Sequence, residues 1–145
     1  MPQNATTDDA QVIMQLYDLR REEKLRKARG WFVSTVKGIR TAEEFFKLAP
    51  VGSDENAFFR MVVTYWDMAA GFVNSGAVNR DLFFRSSNEM LFVWIRASPL
   101  IAEMRKTRDN PLLFADLEQA ANDMSKWLDS RAPGAFEGFK KMVLS

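Results

Sequence analysis

The sequence predicts an all-α chain folded as a single-domain bundle of about five to seven helices, and three observations carry that prediction. The first is the stretch Asn56 to Asn74, NAFFRMVVTYWDMAAGFVN. At helical spacing it resolves into two apolar stripes, Phe58, Val62, Tyr65, Ala69, Phe72 and Phe59, Val63, Trp66, Ala70, Val73. One polar stripe of Asn56, Arg60, Thr64, Asp67, Gly71 and Asn74 separates them. A helix apolar on roughly two thirds of its circumference must be packed on more than one side, which makes it the post of the bundle. The second observation is that apolar residues recur at three- and four-residue steps elsewhere, while no alternating run bounded by turn signals calls for a strand. The third is a series of helix caps and breakers between those runs.

The elements follow in order. The first helix is expected from Asp8, capped by Thr6 or Thr7, with Asp8 and Asp9 at the positive end of its dipole and Val12, Leu16 and Leu19 facing inward. The next apolar set, Leu25, Ala28, Phe32 and Val36, has a different phase, so a kink or break is expected around Arg20 to Glu23, with one straight helix that changes partners as the alternative. This second segment should stop at Gly38. Thr41 to Leu48 reads as a short helix opened by a Thr41/Glu44 capping box and closed by Pro50, with Phe45, Phe46 and Leu48 holding it to the bundle.

The central helix starts after Ser53 and ends at Ser75-Gly76. Asn79 caps the next, whose stripe runs Phe83, Ser87, Met90, Trp94, Ala97, Ile101, Met104. Pro99 lies inside that stripe, and since the period survives it a kinked continuation is preferred to a new helix. Asn110-Pro111 reads as the start of a further helix that buries Leu113, Leu117, Ala120, Met124 and Trp127 and exposes Asp116, Gln119, Asp123, Lys126 and Ser130. Ala132-Pro133-Gly134 ends it, and Phe136, Phe139, Met142 and Val143 form a last short helix or ordered tail.

The chain of 145 residues is the size of one domain and buries about two thirds of its unfolded surface. Residues 1–7 are expected to be a flexible start. Cysteine and histidine are both absent. That removes disulfides, thiolate chemistry, histidine triads and the histidine ligands of most zinc and iron sites, so no cofactor and no metal is implied. Net charge +1 with 27% charged residues describes a mixed surface, and nucleic acid is not expected as a partner. The polar start MPQNATTDDAQV has no apolar core segment, and no apolar run is long enough to span a bilayer; the cytoplasm is the expected location.

Three features are weighed as sites. The run Arg20 to Arg29, RREEKLRKAR, suits phosphate contacts of an anionic membrane or nucleic acid. Its Glu22/Arg26 and Glu23/Lys27 spacing makes a solvated helix face the preferred reading. The turn Ser75 to Asn79 invites a helix-turn-helix reading, but Leu82, Phe83 and Phe84 stand where base-reading side chains belong. In the polar stripe, Arg60, Thr64 and Asp67 are the candidate ligand-binding residues: a covering helix would desolvate Asp67 near Trp66 and raise its pKa, while Arg60 could take an anion. No nucleophile or second catalytic group accompanies them, so an exposed seam is preferred and enzymatic activity is the lesser expectation. Arg85, Glu89 and Arg96 read as an ion-paired surface, and Trp31, Trp66, Trp94 and Trp127 as core.

From the helix beginning NAFFRMVV onward, through the turn Gly76 to Phe83, Trp94, the run WIRASPLIAEMR with Pro99, Ile101 and Arg105, and NPLLFADLEQAA, the chain resembles an uncharacterised family of bacterial all-helical domains of unknown function. The likeness covers roughly residues 55–128 and touches LYDLRR near the start. It implies an all-α domain with no established activity or catalytic residue, and it singles out Arg105 as an internal clamp to backbone carbonyls or an acidic residue. The function expected is a non-enzymatic protein-interaction or regulatory domain, self-associating through apolar surface around Phe45 or Phe139. The alternative is a small-molecule site beside Asp67.

Overall fold

The computed structural model describes residues 4–145, which form eight α-helices and no strand among the described residues. They are α1 (Thr7–Arg20), α2 (Glu23–Thr35), α3 (Ala42–Leu48), α4 (Asp54–Asn74), α5 (Arg80–Arg85), α6 (Asn88–Thr107), α7 (Ala115–Arg131) and α8 (Ala135–Leu144). The central post is α4: α2 and α7 pack most extensively on it, α6 and α5 add to its surround, and α8 closes against α6 and α7. Phe59, Val63, Trp66, Ala70 and Val73 are all buried, as are Val62, Tyr65 and Ala69. Each large side chain so buried contributes about 1.5–3 kcal/mol, which is why this helix holds the bundle. Aromatic contacts run through the same core, Phe45 on Phe59 at 4.6 Å, Trp66 on Phe83 at 6.5 Å and Phe84 on Trp127 at 5.6 Å.

Local chemistry explains most boundaries. Thr6 caps α1 in a full capping box with Asp9. The other Asp9 oxygen accepts the Asn79 backbone N–H at 3.0 Å, so one carboxylate fastens the starts of α1 and α5, and these bonds, Thr6 foremost, hold its pKa below the usual range. Of the start expected to be flexible, residues 1–3 lie outside the described residues, while Thr6 and Thr7 are the cap and first turn. The chain breaks between Arg20 and Glu23, and Glu22 caps α2 by accepting the Leu25 N–H at 3.0 Å. Ser53 and Asn79 cap α4 and α5. Gly76 sits at φ 84°, the left-handed conformation that lets the chain leave α4. Pro99 stays inside α6.

Several expectations are corrected. Eight helices stand among the described residues, one beyond the expected count of about five to seven, because the stripe from Phe83 to Met104 is divided: Ser86 and Ser87 interrupt it, and α6 begins at Asn88. Two consecutive serines compete for backbone hydrogen bonds and favour the interruption. Helix α2 ends at Thr35, before Gly38. Leu19 is exposed, since α1 stops just beyond it, and Phe46 and Leu48 are exposed while Phe45 alone anchors α3. Glu44 returns its carboxylate to the Arg40 N–H rather than to Thr41, so the expected capping box is half made. Asn110-Pro111 opens no helix: Asn110 turns its side chain to the Leu112 N–H, and α7 begins at Ala115 behind Phe114, which lies in the left-handed region at φ 57°. In α8 Val143 is buried and Met142 exposed. Only Trp66 of the four tryptophans is fully buried; the others pack at the margin of the core.

Candidate functional site

The polar stripe of α4 divides into two halves with different surroundings. In the C-terminal half, Asp67 Oδ1 accepts the Leu117 backbone N–H at 3.0 Å. Gly71 leaves room for α7, since a Cβ there would stand 3.3 Å from Asp116 Oδ2. Asn74 donates to both the carbonyl and the carboxylate of Asp116 at 3.0 Å. Leu117 is the third residue of α7, whose own cap position, Phe114, supplies no side-chain acceptor. Asp67 therefore caps α7 from another helix, placing a carboxylate at the positive end of its dipole. Burial raises the Asp67 pKa; the bond from Leu117 opposes the rise, Asp116 adds to it and Arg105 opposes it.

In the N-terminal half, Arg60 and Thr64 are exposed. Arg60 Nε donates to Asn56 Oδ1 at 3.2 Å, and the Thr64 hydroxyl donates to the Arg60 carbonyl. The three candidate residues thus share a stripe without converging on one point. Arg105 reaches the α7 end of the stripe from α6: Nε donates to the Leu113 carbonyl at 2.8 Å and Nη1 to Glu118 at 3.0 Å. A guanidinium suits this double task, because its rigid fork bonds a carbonyl and a carboxylate together.

The Arg20 to Arg29 run is only partly a solvated face. Arg29 Nε donates to both oxygens of Glu89 at 2.9 and 3.0 Å, its Nη1 donates to the Arg20 carbonyl, and Arg20 stands 3.8 Å from the same glutamate. Arg20 also lies over the Trp66 ring. This cluster pins the α1–α2 elbow onto α6. Glu22 is taken by the cap of α2 rather than paired with Arg26. Arg85, Glu89 and Arg96 do not pair with one another: Arg85 bonds Asp81, and Arg96 bonds the Val33 and Val143 carbonyls.

Beside the elbow lies a shallow apolar groove of about 450 Å³, lined by Leu19, Leu25, Met61, Thr64, Tyr65 and Met68, with Glu22 at its edge. Leu19 is 51% and Met68 43% exposed, and Phe72, one turn further along α4, is 38% exposed. Sequence reading missed Met61 and Met68. The signal was present, since Phe58, Met61, Tyr65, Met68 and Phe72 repeat at three and four residues and form a third apolar line on α4. Smaller exposed sets stand near the two positions expected to associate, Phe46, Leu48 and Val51 around α3, and Val33, Met142 and Leu144 near α8.

A concavity larger than the groove, about 800 Å³, lies at the far end of α4, where Asn74, Asp8, Arg80, Asp81 and Trp127 contribute to its walls. One of its lining carboxylates is already engaged: Asp81 accepts from Trp127 Nε1 at 2.9 Å and from Arg85, contacts that lower its pKa, Trp127 foremost.

The eight-helix bundle, its capped seam and its open groove define an all-helical domain without strands among the described residues. The chain belongs to the family described as a domain of unknown function, DUF4760, whose model matches residues 5–127. The match covers α1 to α6 and most of α7, including the elbow, the groove and the Asp67 seam. No curated protein and no solved structure matches the chain. No described helix is long and apolar enough to cross a membrane.

Proposed function

We propose that this domain is a non-enzymatic protein-interaction module, and that the groove between the elbow and α4 receives a helix of another polypeptide. The observation that supports this is the exposed pair Leu19 and Met68, with the half-buried Met61 beside them, around a concave floor of Leu25 and Tyr65. Large apolar side chains grouped at a concavity are sites of association rather than ordinary surface. Methionine adapts its unbranched chain to a partner's shape, and an amphipathic helix presents apolar residues at the same three-four spacing as the α4 line.

The test is fluorescence anisotropy with a labelled amphipathic peptide of about 18 residues, roughly 27 Å when helical, with leucines at helical spacing. Binding that Met68→Asp and Leu19→Asp each weaken about tenfold or more, close to 1.4 kcal/mol per decade, supports the groove. Unaltered helicity by circular dichroism shows that the variants remain folded. Peptide binding indifferent to both variants, or none at all, overturns the reading. A second copy of the chain as occupant gives instead a dimer in light scattering that Met68→Asp dissolves.

A small-molecule site is the second reading, favoured by the 800 Å³ cleft beside Asn74 rather than by the surroundings of Asp67. A cleft of that size with polar walls suits a small ligand. Ligand-induced quenching of Trp127 fluorescence, absent in Trp127→Phe, would support it; no change across a metabolite panel would remove it.

A further inference from the structure

Resting on the groove reading, we infer that the partner helix carries acidic residues beside its apolar stripe. The line Phe58 to Phe72 on α4 extends about 21 Å at 1.5 Å per residue, enough for roughly four turns of partner helix. Its two banks are unequal in sign. On the α2 bank, Arg20 and Arg29 turn inward to Glu89, which leaves Arg21, Lys24 and Lys27 exposed against Glu22 and Glu23. The Lys27 ammonium stands 5.9 Å from the Phe58 ring, so this basic row follows the line itself. Leu25, between Lys24 and Arg26 in the chain, lines the groove.

On the opposite bank, Arg60 is exposed one turn before Thr64 of the groove wall. Asp67 and Asp116, the acidic residues nearest the far end of that bank, are drawn toward the α4–α7 seam by Leu117 and Asn74. Asp18 and Glu22 oppose the excess near Leu19, with the Glu22 carboxylate committed to the Leu25 N–H. Four exposed cations, Arg21, Lys24, Lys27 and Arg60, thus border the apolar line against Asp18 and Glu23, with the Glu22 carboxylate already committed, and charge complementarity across such rims selects partners and speeds encounter.

An apolar patch with a basic border also suits an anionic bilayer, but membrane-inserting side chains protrude from convex surfaces, whereas Leu19, Met61 and Met68 border a concavity. The shape favours a helix.

Three peptides of one apolar stripe, flanked by glutamate, glutamine or lysine, separate the claims. The glutamate peptide is expected to bind about tenfold tighter than the lysine peptide at low salt, with the gap closing as ionic strength shortens the screening length. The triple variant Arg21→Glu, Lys24→Glu, Arg60→Glu, all at exposed positions, should reverse the order. Equal affinities for all three peptides, each lost in Met68→Asp, overturn the acidic partner and leave the groove standing. No binding of any peptide overturns both, and so does Met68-dependent binding to phosphatidylserine vesicles without peptide binding.

Discussion

Asp67 on α4 and Leu117 on α7 are joined by a 3.0 Å bond from the Leu117 backbone N–H to the Asp67 carboxylate, and this bond caps a helix that has no cap of its own. The polar stripe of the central helix is therefore half a docking seat. Asp67→Ala should destabilise the fold by about 1–2 kcal/mol, the usual worth of a cap, while Asp67→Asn, which keeps an acceptor, should cost less. Chemical denaturation of the two variants checks this. The pH dependence has a defined sign: burial raises the Asp67 pKa in the folded state, so the native protein holds this proton more tightly than the unfolded chain. Its contribution to stability should fall as pH rises through the acidic range above 3.8 and be lost in Asp67→Asn.

Tyr65 gives an alkaline counterpart. Its hydroxyl donates to the Leu16 carbonyl, and burial pushes its pKa from 10.0 up to about 12, with Arg20 opposing the rise. The stability it contributes is whole below pH 10 and should fall between 10 and 12, where the unfolded chain releases the proton and the native protein keeps it. Tyr65→Phe should remove that slope and cost about 1 kcal/mol at neutral pH for the lost bond. Ultraviolet titration of the phenolate in native and denatured protein measures the effect directly.

Glu89 balances two guanidiniums, Arg20 and Arg29, whose side chains are 13% and 26% exposed. Glu89→Gln should leave both without a counter-charge and cost about 2 kcal/mol, less than the ~3–5 kcal/mol of a fully buried pair because water reaches the cluster. Hydrogen exchange in this variant should quicken at the elbow, residues 20–25, more than in α7. Uniform quickening would show that Glu89 supports the whole bundle rather than the elbow.

Gly30 is exposed inside α2, with nothing within 4 Å of where a Cβ would stand. Gly30→Ala should stabilise the protein by about 0.5–1 kcal/mol through the backbone entropy that glycine loses on folding. A rise in melting temperature without change in the groove-binding assays is the expected result.

The fold was legible where a residue's burial follows from its own helix. The two stripes of α4, the caps at Thr6, Ser53 and Asn79, and the break near Arg20 all depend on neighbours within about four residues, the reach of helical periodicity and capping. It was not legible where competing local signals met a tertiary choice. Asn110-Pro111 carries the composition of a helix start, yet the acceptor for the first turn of α7 comes from Asp67, and the helix begins where that carboxylate can reach it. The stripe through Ser87 has unbroken periodicity, but period alone does not fix whether Ser86 and Ser87 continue the hydrogen-bond ladder or end it.

Sequence by itself determined that the chain is helical, that α4 is its centre and that thiol and imidazole chemistry are absent, because composition and periodicity are properties of the chain alone. Only the tertiary structure decided the fate of each half of the polar stripe: Arg60 and Thr64 remain in water, while Asp67 and Asn74 receive α7. It alone also left Met61, Met68 and Leu19 bordering an open groove. Whether an apolar or polar face is covered depends on where distant helices end and what they bring with them, and that information lies between segments rather than within any one of them.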